Sequence, residues 1–403
     1  MVTDQVTQVK SAVPDQDQST ARLFCAPGRV NLIGEHTDYN DGFVMPAAID
    51  FATWVVAVPH DGRILTVFSE NFSETIEFDL DDPSQAAQGH WSDYVKGVAF
   101  ALEQAGYHLR GATLRIRSDV PIGSGLSSSA AIEVATGFAL LNNSGFIVDR
   151  VELAKLCQRA ENEFVGMRCG IMDQFIAACG ESGKALLLDC RSLEYKLLPL
   201  PEDVLLGICN TMVRHELAGS EYNARRFECE SGVRHFAQRL PNVRALRDVT
   251  PADLELYGAG LTEVVYRRCR HVITENARVL NAATALEQGE LEAFGSLMNQ
   301  SHVSLRDDYE VSCKELDLMV ELAQEVAGVY GARMTGGGFG GCTVNLVNAQ
   351  NVDEFKRVMA EAYQDVTGVA PEIYVCSAAA GAEEVIADCQ LPIADCSTND
   401  STF

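Results

Sequence analysis

The stretch from Pro121 to Ala131, Pro-Ile-Gly-Ser-Gly-Leu-Ser-Ser-Ser-Ala-Ala, constrains this chain more than any other. A strand-like segment leads into it. Leu114 and Ile116 alternate with Thr113, Arg115 and Arg117, the period of a half-buried strand. A helical segment leads out of it, with Ala130, Ile132, Val134, Ala135, Phe138 and Leu141 on one apolar face. Glycines 123 and 125 allow positive φ and close approach of the backbone to an anion. The hydroxyls of Ser124, Ser127, Ser128 and Ser129 add hydrogen bonds and oxygens for a metal. N–H groups at a helix start, backed by the helix dipole, attract phosphate. Two readings fit this stretch alone, a phosphate cradle and a tight turn leading to a serine-capped helix. A P-loop is excluded, because it needs a lysine after the last glycine and none occurs from Gly97 to Arg150.

A chain of 403 residues exceeds one ordinary core, so two domains are expected. Hydrophobic residues make up 47%, enough for a well-packed globular protein. No apolar run reaches the length of a membrane span. Met1 to Thr20 is polar, so a secretory leader is not expected and the cytoplasm is the expected location. The formal net charge of −26 argues against a sequence-independent nucleic-acid binder, which needs a basic face. It leaves room for a phosphate ligand, because a nest of backbone N–H groups acts locally. The 13 cysteines contain no Cys-x-x-Cys pair, which points to free thiols in a reducing compartment.

Between Leu23 and Asn40 lies a dense polar set, Arg29, Glu35, His36 and Asp38, among apolar Val30, Leu32 and Ile33. Polar groups held by apolar strands suggest a lined pocket for a sugar or polyol. An exposed hairpin with an incidental ion pair and a metal site at His36 and Asp38 are the alternatives. Strands are expected at 43–59, 64–70 and 75–80, as one antiparallel unit with a turn at Asp61-Gly62, and Ser92 is expected to cap a helix through Gln104. A helix from Asp149 to about Phe164 carries Glu161 and Glu163 near its C-terminal end. The dipole disfavours carboxylates there, so a cation ligand competes with a solvated helix end as the explanation. Asp173, between Met172 and Phe175, is either a helix-start carboxylate or a functional group. Strands are expected at 184–190, 195–200 and 204–210, and the chain from 216 to 326 reads as mainly helical. Tyr222 stands near the start of the first of these helices, facing either a cleft or the packing. Gly336 to Gly341 holds five glycines in six residues between strand-like runs. So much glycine costs conformational entropy and predicts close approach of the backbone to another loop or a ligand. A helix at 352–366 and a strand at 372–378 complete the pattern.

Three of these stretches, in this order, resemble a known family. Gly28 to Asn40 is similar to the signature of the galactokinases, Pro121 to Ala130 resembles the phosphate loop of the wider GHMP kinases, and Gly336 to Gly341 resembles that family's third motif. Gly170 to Gln174 and Ser220 to Tyr222 are also galactokinase-like. The resemblance implies an α+β, two-domain GHMP kinase fold. Its first domain would resemble domain 2 of ribosomal protein S5, its second would be ferredoxin-like, and the active site would lie in the cleft between them. The expected division is a flexible arm over 1–20, domains over 21–200 and 201–390, and a tail over 391–403.

The implied activity is ATP-dependent phosphorylation of D-galactose at the C1 hydroxyl. The resemblance implies sugar contacts from Glu35, His36, Thr37, Asp38, Gly170, Asp173 and Tyr222. It puts Gly123, Ser124, Gly125, Leu126, Ser127, Ser128 and Ser129 on the phosphates of ATP, and Ser129 and Glu161 on Mg²⁺. Asp173 would be the proton acceptor and Arg29 the transition-state stabiliser. N-acetylgalactosamine or another sugar is the near alternative substrate. A non-catalytic sugar sensor of the same family is disfavoured by the intact Ser129-Ala130 pair with Asp173 and Arg29. The implied partners are galactose and ATP, with no nucleic acid and no membrane, and the implied state is a monomer.

Overall fold

The computed structural model describes residues 20–385 except 83, 85 and 215–217. The arm and tail expected from the sequence lie outside the described residues. Strand β1 (Arg22–Asn31) is buried along nearly its whole length. It lies between β3 (Pro46–Pro59) on one side and a short closing strand at Glu383–Glu384 on the other. Its register against β3 shifts between Pro27 and Arg29. Gly28 sits at this bulge, and a Cβ there would stand 2.7 Å from the Leu126 carbonyl. The bulge thus lets the first motif press onto the glycine-serine loop.

The short strand β2 (Phe43–Val44) follows the first motif. The hairpin of β4 (Ile64–Ser69) and β5 (Glu74–Asp79) forms as expected, but it does not extend β3. Strand β6 (Ala112–Ser118) lies between them, antiparallel to β3 and parallel to β4. The reason is burial. Ala52 to Ala57 of β3 are covered on both faces, and β1 and β6 pair along its two edges. The turn at Asp61-Gly62 is real, with Gly62 at φ +103°. It is tied to the start of β6 by the Gly111 N–H to Gly62 carbonyl bond, which leads the chain past β6.

Helices α1 (Ser92–Gln104), α2 (Ser128–Asn143), α3 (Arg150–Arg159) and α4 (Met172–Cys179) cover this sheet. Their core joins Val98, Leu102, Val134, Phe138 and Phe175 to Val55, Val67 and Leu114 of the strands. Ser92 is the first helical residue and not the cap, its hydroxyl resting on His90. Asp149 caps α3 by accepting from the Val151 and Glu152 N–H groups. The helix then widens into a π-turn over Ala160–Val165, which turns Glu161 inward. Glu163 points out to solvent, paired with Arg159.

Strand β7 (Lys184–Asp189) joins β2 and β8 (Tyr195–Pro199) in a three-stranded sheet. Strand β9 (Val204–Arg214) enters a four-stranded antiparallel sheet. The helical stretch holds α5 (Ala218–Ala237), α6 (Pro251–Tyr257), α7 (Glu263–Gln288), α8 (Leu291–Ser304) and α9 (Lys314–Gln324). Next come β10 (Val329–Met334), β11 (Gly340–Asn348), α10 (Val352–Thr367) and β12 (Glu372–Cys376), in the sheet order β10-β11-β9-β12. Helices α9 and α10 pack Met319, Val320, Phe355 and Met359 on one face of this sheet. On the other face Ile208, Val344 and Leu346 share one core with Phe294 of α8 and with Leu32 and Ile33 of the first motif. The chain then returns to the first sheet as β13 (Glu383–Glu384), paired with β1. No helix among the described residues is long and apolar enough to cross a membrane.

Candidate active site

The three glycine-bearing stretches meet. The Arg29 N–H donates to the Leu126 carbonyl at 3.1 Å, and its Nη1 donates to the Gly125 carbonyl at 2.6 Å. Gly336 and Gly341, at φ +84° and +82°, lie on the same loop. Cβ atoms there would stand 3.0 Å from the Gly125 carbonyl and 2.9 Å from the Ser124 carbonyl. The glycine run thus serves close packing of backbone on backbone, as its composition predicted.

At this junction Arg29 meets Asp173. Its Nε donates to Oδ1 at 2.8 Å and its Nη2 to Oδ2 at 2.7 Å, a two-pronged pair. Asp173 stands in the first turn of α4, where the helix dipole favours a carboxylate. The Ser127 hydroxyl also donates to Asp173 Oδ2. Ser127 itself is left-handed at φ +60°, immediately before α2. In the loop, Ser124 uses its hydroxyl to brace the turn on the Pro121 carbonyl, and Leu126 is buried in the core. These two can reach phosphate only through their backbone. Gly123 and Gly125 take φ +72° and +85°. Helix α2 starts at Ser128, so the N–H groups of Ser128, Ser129 and Ala130 are the free donors of its first turn.

A cavity of about 270 Å³ opens against Arg29 and Asp173, near the lower end of small-molecule sites, roughly 300 Å³. Glu35, His36, Asp38, Gly170 and Tyr222 contribute to its wall, as do Glu161 and Gly336 to Phe339. Gly170 is dictated by Asp38, since a Cβ at 170 would lie 1.8 Å from Asp38 Oδ2. Burial, with Asp173 close by, pushes the Asp38 carboxyl up to about 6, while the Tyr39 N–H it accepts works in the opposite direction. Burial also holds His36 neutral, well below its usual range. His36 takes φ +63° and pairs Nδ1 with the Tyr39 hydroxyl at 2.9 Å, while its buried Nε2 has no protein partner. The Tyr222 ring lies 5.6 Å from the His36 ring and 5.4 Å from the Tyr39 ring. Tyr39 passes the hydrogen-bond chain on to the buried Tyr309 hydroxyl at 2.8 Å.

Two expected sugar contacts differ in placement. Glu35 reaches the wall, but its carboxylate is already occupied by the protein. Oε2 accepts from Asn31 Nδ2 and Arg333 Nη1, both at 2.6 Å, and Oε1 accepts from the Gly336 N–H at 2.7 Å. Thr37 does not line the cavity wall, and neither does the loop from Gly123 to Ser129. The buried Thr37 hydroxyl lies 2.7 Å from the Gly34 carbonyl and 2.6 Å from the Phe43 carbonyl, where its single proton braces the loop.

Ser129 stands near Glu161, and burial raises the Glu161 carboxyl above its ordinary value. Their oxygens suit Mg²⁺, which takes one or two protein ligands and leaves the rest to phosphate and water. No group of three or more His, Cys, Asp or Glu side chains arranged for a metal occurs among the described residues. Sequence reasoning missed Arg333, Cys169 and Gln174. An arginine inside a strand beside a glycine run was a signal for Arg333. Nothing local marked Cys169, whose thiol donates to Glu161 at 3.2 Å, and Gln174 stood out only as the end of the galactokinase-like stretch from Gly170.

The sequence matches the galactokinase galactose-binding signature over residues 15–59. It matches the N-terminal domain of the GHMP kinases over 93–181 and their C-terminal domain over 282–365. The galactokinase of Chloroflexus aggregans is 54% identical over 368 residues, which span 91% of this chain and 94% of that protein. The galactokinase of Chloroflexus aurantiacus is 52% identical over the same shares. This chain belongs to the galactokinase family. Among solved structures, Lactococcus lactis galactokinase complexed with galactose superposes with a TM-score of 0.90 at 39% identity, over 96% of this chain and all of that one. A mevalonate kinase shares the fold alone, with a TM-score of 0.61 at 18% identity over 88% of this chain and 98% of its own. The GHMP kinase fold expected from the three motifs is therefore the fold observed.

Proposed function

We propose that this chain transfers the γ-phosphoryl group of ATP to the C1 hydroxyl of D-galactose, giving galactose 1-phosphate and ADP. The observation that carries the reading is the two-pronged Arg29–Asp173 pair, set between the glycine-serine loop and a polar cavity. Phosphoryl transfer needs alignment and charge neutralisation more than covalent help from the protein. Arg29 supplies fixed positive charge at the point of transfer, and its bonds to the Gly125 carbonyl and Asp173 leave it little freedom. Asp173 orients the C1 hydroxyl and accepts its proton late, as a loose transition state permits. The N–H groups at the start of α2 and the loop backbone from Gly123 to Ser129 take the phosphates. Ser129 and Glu161 hold Mg²⁺, which neutralises phosphate charge when bound.

Asp38, the neutral His36 and Tyr222 read the ring hydroxyls, with Gly170 leaving room for Asp38. Glu35 acts mainly by holding the glycine-rich third motif against the first. Thr37 is left out of the sugar contacts. A site whose buried polar groups are matched to one epimer rejects the other, because its own groups are then unpaired. A division into domains near residue 200 fits this cavity, whose wall draws on residues 29–173 and 222–339. Eleven free cysteines among the described residues support a reducing compartment such as the cytoplasm. Phosphorus NMR of a mixture of Mg-ATP, galactose and protein tests the proposal. A new sugar 1-phosphate signal appearing with ADP is expected, and ATP left intact would overturn it.

A further inference from the structure

Gln174 follows Asp173 on α4 and is fully buried. Its Nε2 has two protons and two carboxylate partners. It donates to Glu161 Oε2 at 2.5 Å and to Glu133 Oε2 at 3.0 Å. Glu133 is itself fully buried, one turn into α2 from the glycine-serine loop. One amide therefore bridges α2, which starts the phosphate loop's helix, to the π-turn that carries Glu161. Two buried carboxyl groups side by side repel one another, and an apolar contact could not hold them at this spacing. The Cys169 thiol adds a second contact to the same Glu161 oxygen, at 3.2 Å. Gln174 and Cys169 both engage Oε2, and neither engages Oε1.

We infer that Gln174 is a positioning residue for the magnesium carboxylate. Its amide pins Glu161 Oε2, which leaves Oε1 for the metal, while Glu133 anchors the amide from α2. The inference rests on the proposed role of Glu161 and concerns metal affinity, not sugar binding. Groups that orient a metal ligand from behind typically change affinity by about 10- to 100-fold when removed.

The probe is Mn²⁺, titrated into the protein with galactose and an ATP analogue that cannot transfer its phosphoryl group. Free Mn²⁺ is read by electron spin resonance, and galactose affinity is read separately by calorimetry. Gln174→Leu keeps the volume and removes both donors. It is expected to weaken Mn²⁺ binding about tenfold or more while galactose affinity stays near that of the parent. Gln174→Asn draws the amide back by one methylene and serves by the same criterion should the leucine variant fail to fold. Parent-like Mn²⁺ affinity in the Gln174 variant, or an equal loss of galactose and Mn²⁺ binding, would overturn the inference. Glu161→Gln separates the two levels. If it loses Mn²⁺ while the Gln174 variant keeps it, only the positioning role falls. If Glu161→Gln binds Mn²⁺ normally, the metal role of Glu161 falls as well.

Discussion

At position 170 a single methyl group decides the state of a neighbour. A Cβ there would overlap Asp38 Oδ2 at 1.8 Å, so Gly170→Ala must move Asp38 off its place. Losing one hydrogen bond to a charged group costs about 1.5–3 kcal/mol, which corresponds to roughly a ten- to hundredfold rise in KM for galactose. An unchanged KM in that variant would show that Asp38 does not read the sugar. Asp38 also predicts a pH dependence. Its carboxyl titrates near 6, so it is ionised at pH 8 and protonated at pH 5. Galactose affinity, measured by calorimetry, is expected to fall as the pH is lowered through 6. The stability effect has the opposite sign. A carboxyl whose folded pKa is raised destabilises the fold when ionised, so Asp38→Asn is expected to raise Tm at pH 8, with the gain fading toward pH 5. Asp173→Asn should lower kcat by about 10²–10⁴-fold, the usual worth of a general base, while galactose still binds. The gathering of Arg29, Glu35, His36, Asp38 and Asp173 at one cavity was legible in part, because each is a polar group in apolar sequence. The bracing of the loop by the Thr37 hydroxyl was not, because a hydroxyl that braces its own loop and one that binds a ligand look alike in sequence.

The elements are tied by a buried clamp. Glu35 after β1 and Arg333 on β10 are both essentially inaccessible, and their 2.6 Å pair joins the first motif to the third. Removing one partner of such a pair leaves a buried charge and costs about 3–5 kcal/mol. Arg333→Met is therefore expected to lower Tm markedly and to weaken binding of galactose and ATP together, since both motifs shift. A small change in Tm, with only galactose binding affected, would mean that Glu35 serves the sugar and not the frame. Helices and strands were readable element by element from apolar periodicity and glycine punctuation. Sheet order was not. The place of β6 between β3 and β4 depends on which strand edges find cover, and the two-residue β13 is too short to carry a pattern of its own. The Glu35–Arg333 link spans 298 positions, and no local reading connects residues so far apart.

On the scale of the whole molecule, the first sheet and the four-stranded sheet share one core. Val30, Leu32 and Ile33 pack with Ile208, Val344 and Leu346, and the last described strand returns to the first sheet. Unfolding is therefore expected as one calorimetric transition, and two well-separated transitions would contradict a shared core. That the three distant glycine-bearing stretches meet, with the first and third lining the cavity and the glycine-serine loop packed against them, was legible only through the family resemblance, since spacing along the chain does not report contact. The central claim is that this convergence selects galactose as phosphoryl acceptor. ADP release with Mg-ATP, compared across galactose, N-acetylgalactosamine, glucose, mevalonate and homoserine, tests it most directly. Rapid release with galactose and little with the others is predicted, and equal turnover of glucose, or a preference for any other acceptor, would contradict it.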